Sequence, residues 1–560
     1  MPWKEKSFDE LPALAVRGET LRKSLRTVTV AWMFGIVWMS LVVGSQWTTF
    51  GQILGMGDFE FGLVSAINSG AALAQLAAAA IIERSGLRKY QFLYACATHR
   101  MLWAVMAAVP LIFKPCSFTV VLFITVYATS AILAQIATPT WLDWMGDMVP
   151  RRIRGRYFAT RQAWTMPIQI VVALLAGLLL DYVTVAHVSG FRYAPAMPAV
   201  AAALPCPLLP GAGAIGQGVA AAAWTAPLFK APMNFAYQPT LFYVLCGLFF
   251  IAAIFGTTDV LLFFRLREII SRPVIPEDER PARSPSNLWR SLGDPLRTVT
   301  HALRDRVSRH YALYWATLLF SVTLADQYFW LNALTVVGFS KLATNAVFMV
   351  FAALAAWAMA RPLGGLIDRW GRRPILIIGT IGVIFSPFGW FLMKPGPAHF
   401  WGNYALATVS CILGGAAWTA VNLAANTVLL SFAEKQGRSR YMAAVAAVAS
   451  LGGFAGGLVG GALCRAMEGL KANPIMVGPF PWNNYHVMFL LSAAVRGASI
   501  LWLIGMPDPG AASVKTVVRE IWGNIFANIR VRAPWPSRDQ IVAATPPSAK
   551  ERSQAHEHRD

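Results

Sequence analysis

The chain has 560 residues, of which 56% are hydrophobic and only 13% charged, with mean hydropathy +0.51 and net charge +21. A soluble domain carries about 25% charged residues, and apolar runs of about 20 residues, each able to cross a bilayer core as a helix, recur along this whole chain. A transmembrane barrel is excluded as well, because its strands read as short alternating segments.

Residues 1–27 are mixed in charge and largely polar, without the apolar core and small-residue cleavage site of a secretory signal. Twelve spans are predicted at 28–50, 59–82, 91–113, 118–147, 158–181, 239–264, 311–336, 342–362, 375–393, 401–432, 440–463 and 485–506. The fold class is therefore an all-α membrane protein. Residues 28–264 form a first six-helix bundle and residues 311–506 a second. Residues 182–238 make a long outward loop rich in Ala, Pro and Gly, apolar in places but too broken to span. Residues 265–310 make a linker, in which "RPVIPEDERPARSPS" reads as flexible chain. In the tail, 507–560, the stripe Val514, Val517, Val518, Ile521, Trp522, Ile525 and Ile529 predicts an amphipathic helix over about 513–530. It suits either the inner membrane surface or the underside of the bundle.

The charge is explained by orientation. With both termini cytoplasmic, and Arg161, Arg361 and Arg440 counted with their adjoining loops, 39 of the 48 Lys and Arg fall on that side and 7 on the other. This is the positive-inside asymmetry, and it displaces nucleic acid as the reason for +21. Of six cysteines, Cys116, Cys206 and Cys464 face outward, which leaves room for one disulfide, and no spacing suggests a metal site.

Two motifs recur at nearly one offset. Glu83-Arg84-Ser85-Gly86-Leu87-Arg88 aligns with Asp368-Arg369-Trp370-Gly371-Arg372-Arg373, and Arg154-Gly155-Arg156-Tyr157 aligns with Arg438-Ser439-Arg440-Tyr441. An even number of spans between the copies makes the halves parallel repeats.

Twelve spans, parallel halves and the stretch Gly364-Gly365-Leu366-Ile367-Asp368-Arg369-Trp370-Gly371-Arg372-Arg373 together resemble the major facilitator superfamily. That family's loop signature runs roughly G-x-L-A-D-R-x-G-R-R. The first-half copy is weaker, with Ala79 for the first Gly and Glu83 for the Asp. The resemblance implies two parallel six-helix bundles, a central cavity lined by spans one, four, seven and ten, and no cofactor. It also implies a cytoplasmic gate in which the loop latches onto the other half. Glu83, Arg84, Arg88, Gly364, Asp368, Arg369, Gly371 and Arg372 are its candidates. Asp143 and Asp147, one turn apart near the end of span four, are read as part of an ionic latch, with Arg100 or Arg161 as partner.

Polar groups inside spans are costly and often functional. Asp326 and Gln327 on span seven, Gln46 on span one, Gln135 and Trp141 on span four, and Trp418, Asn422 and Asn426 on span ten are the candidate solute contacts. A carboxylate at Asp326 suits a proton or a cationic group. Polar helix packing explains the amides almost as well, and Arg496 needs a partner that sequence does not name. Span eleven carries Gly452, Gly456 and Gly460, and Gly453, Gly457 and Gly461, two bare ridges for close helix contact.

These features predict a secondary transporter that moves a small solute by alternating access, as a monomer in the lipid bilayer, with a proton as the coupling ion suggested by Asp326. Compact loops suit a bacterial inner membrane. The signatures expected of drug exporters, sugar porters and peptide transporters are missing. The competing reading is a transporter-like scaffold, assembly factor or sensor. An enzyme is third, since no nucleophile–base set or His cluster stands out.

Overall fold

The computed structural model describes residues 18–76, 78, 88–113, 117–149, 154–188, 239–266, 300, 303–431, 438–508 and 511–520. Glu83, Arg84, most of the 182–238 loop, most of the linker and the tail beyond 520 lie outside them. So do the side chains of Arg88, Asp143, Asp147, Arg154, Arg156, Asp368, Asn426, Arg438 and Arg440.

The first half holds α1 (Gly18–Val42), α2 (Ser45–Ile53), α3 (Asp58–Ala71), α4 (Arg88–Ile112), α5 (Ser117–Met148), α6 (Arg154–Val188) and α7 (Pro239–Phe263). The second holds α8 (Arg306–Leu331), α9 (Lys341–Asn345), α10 (Ala352–Trp370), α11 (Arg372–Phe385), α12 (Phe400–Ser431), α13 (Arg438–Ala466), α14 (Gly469–Ala472) and α15 (Asn484–Ile504). A hairpin of β1 (Ile475–Val477) and β2 (Phe480–Trp482) joins α14 to α15, with Ile475 opposite Trp482. Sequence gave no sign of it. Ten helices among the described residues are long and apolar enough to cross a membrane. Of the expected spans, the second, seen as the 14-residue α3, and the seventh, seen as α8, stand outside that set.

Local chemistry explains the breaks. The first span is interrupted at Gly44, whose φ of 98° is costly for any other residue. Span seven runs from α8 into a wide turn of π-helix, Asn332–Val337, and stops at Gly338 with φ 79°. Span eight is α9, a second π segment (Ala346–Phe351) and α10 in series. Real helices outrun the hydropathy windows: α1 starts at Gly18 and α6 covers 154–188, because polar ends still form helix where they leave the apolar layer.

The halves are packed unequally along their length. At the end carrying the start of α1 and the segment after α15, called here the terminal end, each half has its own core. One contains Val28, Phe92, Trp144 and Phe263, the other Tyr311, Trp370, Ile375 and Val421. At the opposite end, called here the far end, one core joins Trp47, Phe50 and Phe249 of the first half to Leu324, Tyr328 and Phe489 of the second. Among the described residues, the halves share a core at the far end and are parted into separate cores at the terminal end.

The glycine ridges of α13 explain how the closed end fits. A Cβ on Gly452, Gly456 or Gly460 would strike the backbone of Ala316, Phe320 or Leu324 on α8, within the same half. A Cβ on Gly453 or Gly457 would strike Ser69 or Ala66 on α3, in the other half, and one on Gly62 of α3 would lie 2.5 Å from Gly461 Cα. One ridge builds the bundle and the other builds the seam. Gly456→Leu should therefore lower the thermal stability of the purified protein, since overpacking costs about 1–3 kcal/mol. Gly457→Leu should spare the second half and instead separate α3 from α13, read as loss of cross-linking between cysteines placed at Gly70 and Phe454, which touch across the seam.

Candidate functional site

The far-end seal is built from polar groups that cross the seam. Asp58 opens α3, and its carboxylate is almost fully buried. Lys471 Nζ lies 2.7 Å from Oδ2, Asn484 Nδ2 donates to Oδ2 at 2.9 Å, Tyr485 Oη donates to Oδ1 at 3.0 Å, and the Cys464 thiol donates to Oδ2 at 3.5 Å. Tyr328 Oη donates to the Asp58 carbonyl at 3.0 Å. Every donor is from the second half. Cys464 is a free, buried thiol, so the disulfide considered from sequence does not use it here.

A second clasp joins α6 to α9. The Asp181 carboxylate accepts the backbone N–H of Lys341 at 2.8 Å and of Leu342 at 2.9 Å, at a helix N-terminus where negative charge is favoured. Asn345 Oδ1 accepts from Ser45 N at 3.0 Å just after the break in span one, and Asn345 Nδ2 donates to Ala173 O at 2.9 Å. Gln46 belongs to this seal. It is fully buried, accepts from Asn345 Nδ2 at 3.4 Å and donates to Ser40 O at 3.4 Å.

In the last two turns of α8, Asp326 is exposed although it sits in an apolar span, and Gln327 Nε2 donates to its Oδ2 at 3.2 Å. Asp326 is within electrostatic reach of Tyr127 on α5, across the molecule, and of Arg496 on its own half. Arg496 does not pair with it directly. Its Nη1 donates to Val383 O at 3.0 Å, a backbone partner that sequence could not name. Asn422 is exposed and Trp418 half-buried on α12. Gln135 is occupied inside the first half, accepting from Gln75 Nε2 at 2.6 Å. Asp326 and Gln327 are thus brought together, while Gln46 and Gln135 are held elsewhere.

The first half buries an ionic cluster instead. Arg100 on α4 lies 3.3 Å from Asp259 Oδ2 on α7 and 3.5 Å from the centroid of Trp38 on α1. Bare backbone makes the room: a Cβ on Gly35 would lie 2.6 Å from Asp259 Oδ2, and one on Gly256 would lie 2.8 Å from Arg100 Cδ. Arg161 stands between the rings of Trp32 and Trp141, 4.8 Å from each. Arg100 thus pairs with Asp259 and Arg161 is held by indole faces, while the side chains of Asp143 and Asp147, their expected latch partners, lie outside the described residues.

At the terminal end the basic loop turns through Gly371, φ 88°. Arg372 Nε donates to Asp508 Oδ1 at 3.1 Å, and Arg373 N donates to Asp508 Oδ2 at 3.1 Å. Ala512 N donates to Trp370 O at 3.0 Å, and Arg369 lies 3.7 Å from Glu520. The expected latch to the other half is therefore not the contact Arg369 and Arg372 make in this conformation. With the terminal end parted, they hold the segment after α15 in their own half. The described start of the tail helix packs there too, with Val517 fully buried against the same core as Trp370.

Asp58, Asp181, Asp259, Asn345 and Lys471 escaped the sequence reading. The available signal was weak: Asp259 is an acid in an apolar span, but Asp58 and Lys471 looked like ordinary loop charges.

A family model for the Major Facilitator Superfamily matches residues 27–457. The chain belongs to the major facilitator superfamily. Membership bears out the resemblance carried by Gly364–Arg373, and makes this an integral membrane protein of a superfamily of secondary transporters. No curated protein sequence matches it. Among solved structures, a D-xylose-proton symporter has a TM-score of 0.54 at 12% identity, covering 88% of this chain and 99% of its own. The xylose transporter XylE from E. coli, partially occluded and inward open, has 0.51 at 13% identity, covering 88% and 100%. A bacterial homolog of the human lysosomal transporter Spinster, inward-facing and unoccupied, has 0.51 at 14% identity, covering 88% and 96%. At such identities the likeness is one of superfamily fold.

Two outcomes follow for the buried pair. Asp259→Ala strands a buried guanidinium and should cost about 3–5 kcal/mol of stability, whereas replacing both Arg100 and Asp259 by Leu should recover much of it. Thermal unfolding of the three variants decides this.

Proposed function

We propose that this protein moves a small polar solute by alternating access, and that the conformation described here faces the cytoplasm. With both termini cytoplasmic, as the charge asymmetry favours, the far end is the outer side and the parted end the inner. Solute reaches the cavity between the halves from within the cell, while the Asp58 and Asp181 clasps hold the outer side shut. The compact loops suit a bacterial inner membrane.

The observation that carries this reading is the exposed carboxylate of Asp326 halfway along an apolar span. A scaffold needs no such group, and an ionisable residue there is expensive unless it faces water or a partner. A carboxylate open to water from one side at a time can take a proton on one side and release it on the other. Gln327, Trp418 and Asn422 supply amide and aromatic surface to orient a solute. Asp368, Arg369 and Arg372 keep a gating role in this reading: they would meet the other half when the inner side closes. Glu83, Arg84, Arg88, Asp143 and Asp147 are assigned to the same inner gate.

The test begins with thermal unfolding against a broad solute library at two pH values. A solute that binds the folded state stabilises it by about 2.7 kcal/mol at a hundred times Kd. In proteoliposomes, a pH gradient should then drive accumulation of that solute. Asp326→Asn should abolish gradient-driven accumulation while leaving solute exchange measurable. Accumulation unchanged in Asp326→Asn would remove the proton role, and the absence of any flux for a binding solute would remove the transport reading.

A further inference from the structure

The second half presents four donors that converge on a single carboxylate. Asn484 and Cys464 are fully buried, Tyr485 nearly so, and Lys471 lies partly open at the rim. Together they engage both oxygens of Asp58: Tyr485 takes Oδ1, while Lys471, Asn484 and Cys464 take Oδ2. The Tyr485 ring stacks on Tyr328 at 5.7 Å, and Lys471 lies 5.0 Å from the Tyr485 centroid, so the donors are held by their own half and not by Asp58. Asn484 is fixed further by its own bond to Cys464 O at 3.1 Å. An ammonium, a phenol and an amide arranged in this way form a carboxylate site of the charge-assisted kind.

We propose that this cradle is a carboxylate-binding site, with Asp58 as its tethered occupant in the closed state, and that it takes a free small monocarboxylate once the far end opens and Asp58 withdraws. Opening would otherwise take the carboxylate from Asn484 and Tyr485, whose donors are buried in their own half, and a buried donor left unsatisfied costs about 1–3 kcal/mol. A free carboxylate relieves that cost, and so favours the open state. Two other charges lie nearby, Glu60 and Arg465. Glu60 on α3 is like-charged, but its carboxylate caps the Gly57 N–H at 2.9 Å and feels Arg465. The inference rests on the alternating-access reading for the opening of the far end, and does not depend on Asp326.

The test uses the full-length purified protein, with two readouts: thermal unfolding, and maleimide labelling of Cys464 resolved by mass spectrometry. Asp58→Ala empties the cradle. Cys464 labelling should rise roughly tenfold, the change that about 1.4 kcal/mol of lost clasp produces, and Tm should fall. Formate should then raise Tm in a dose-dependent manner, sodium chloride at equal concentration should not, and Lys471→Gln in the Asp58→Ala background should remove the formate effect. Formate no better than chloride overturns the proposal, and so does a formate effect that survives Lys471→Gln. If Asp58→Ala does not fold, Gly457→Leu serves in its place, since wedging the seam withdraws Asp58 with its charge intact. Formate should stabilise that variant and not the wild type, and equal effects on both would sink the idea. Cys464 exposure in Gly457→Leu without any formate response would show that the halves part while the cradle is no carboxylate site.

Discussion

A seal between two helix bundles in a membrane cannot rest on greasiness. Lipid tails are as apolar as leucine, so helices gain nothing there by hiding apolar surface from lipid. Tightness has to come from close approach, and identity of fit from hydrogen bonds. The α3–α13 seam meets both needs with Gly62, Gly457 and Gly461 for approach and Asp58 for bonding. Because the bare ridge has no side chains to interlock, the seam can part without first unpicking a jigsaw. The other ridge of α13, against α8, has the same small residues but lies inside one half.

The acids are divided in a way that fits moving and still parts. Asp259 is buried with Arg100 inside the first half, tied to α1 through Trp38, and touches nothing that has to separate. Asp58 and Asp181 are on the first half but are satisfied wholly by the second. Asp326 is on the second half and is exposed. A buried pair with both partners in one body is a strut. A buried acid whose donors belong to the other body is a clasp, because rigid-body separation breaks all of its bonds together. The two clasps differ in kind: Asp58 relies on side chains, Asp181 on backbone N–H groups at the start of α9.

Much of this was legible from sequence, and the boundary is physical. Spans are legible because crossing a bilayer demands a long apolar run. The repeat is legible because Asp368–Arg373 and Arg438–Tyr441 each have a first-half copy at almost one offset. The double ridge on span eleven is legible because glycines at intervals of four cannot hide. What each ridge faces is not, since α3 and α8 lie far from α13 in sequence and their placement is a property of the assembled bundle. The same holds for Asp58 and Lys471, 413 positions apart. Gln46 and Gln135 drew attention as polar groups in spans, yet both are satisfied by other amides. Polarity in a span signals a constraint, and only geometry says whether it is a site or a bond.

The basic loop carries the last step. Asp508 accepts both the Arg372 side chain and the Arg373 backbone, so one carboxylate past the last span fixes the loop and caps the start of α11 together. The guanidinium is thereby held in place while the terminal end is parted, with a further bond from Nη1 to Thr427 O at 3.4 Å. An arginine so fixed loses little side-chain entropy when another partner arrives, whereas a free one would lose up to about 2 kcal/mol. In the proposed gating role, Asp508 would prepare the loop for closure without opposing it, the arriving group taking donors that Asp508 leaves open. The guanidinium has five N–H donors in a planar fork, and Asp508 takes one. The described start of the tail helix, with Val517 buried in the core of the second half, lies within that same half. In the proposed gate, closure at this end would then require motion of the halves and not rebuilding of the loop.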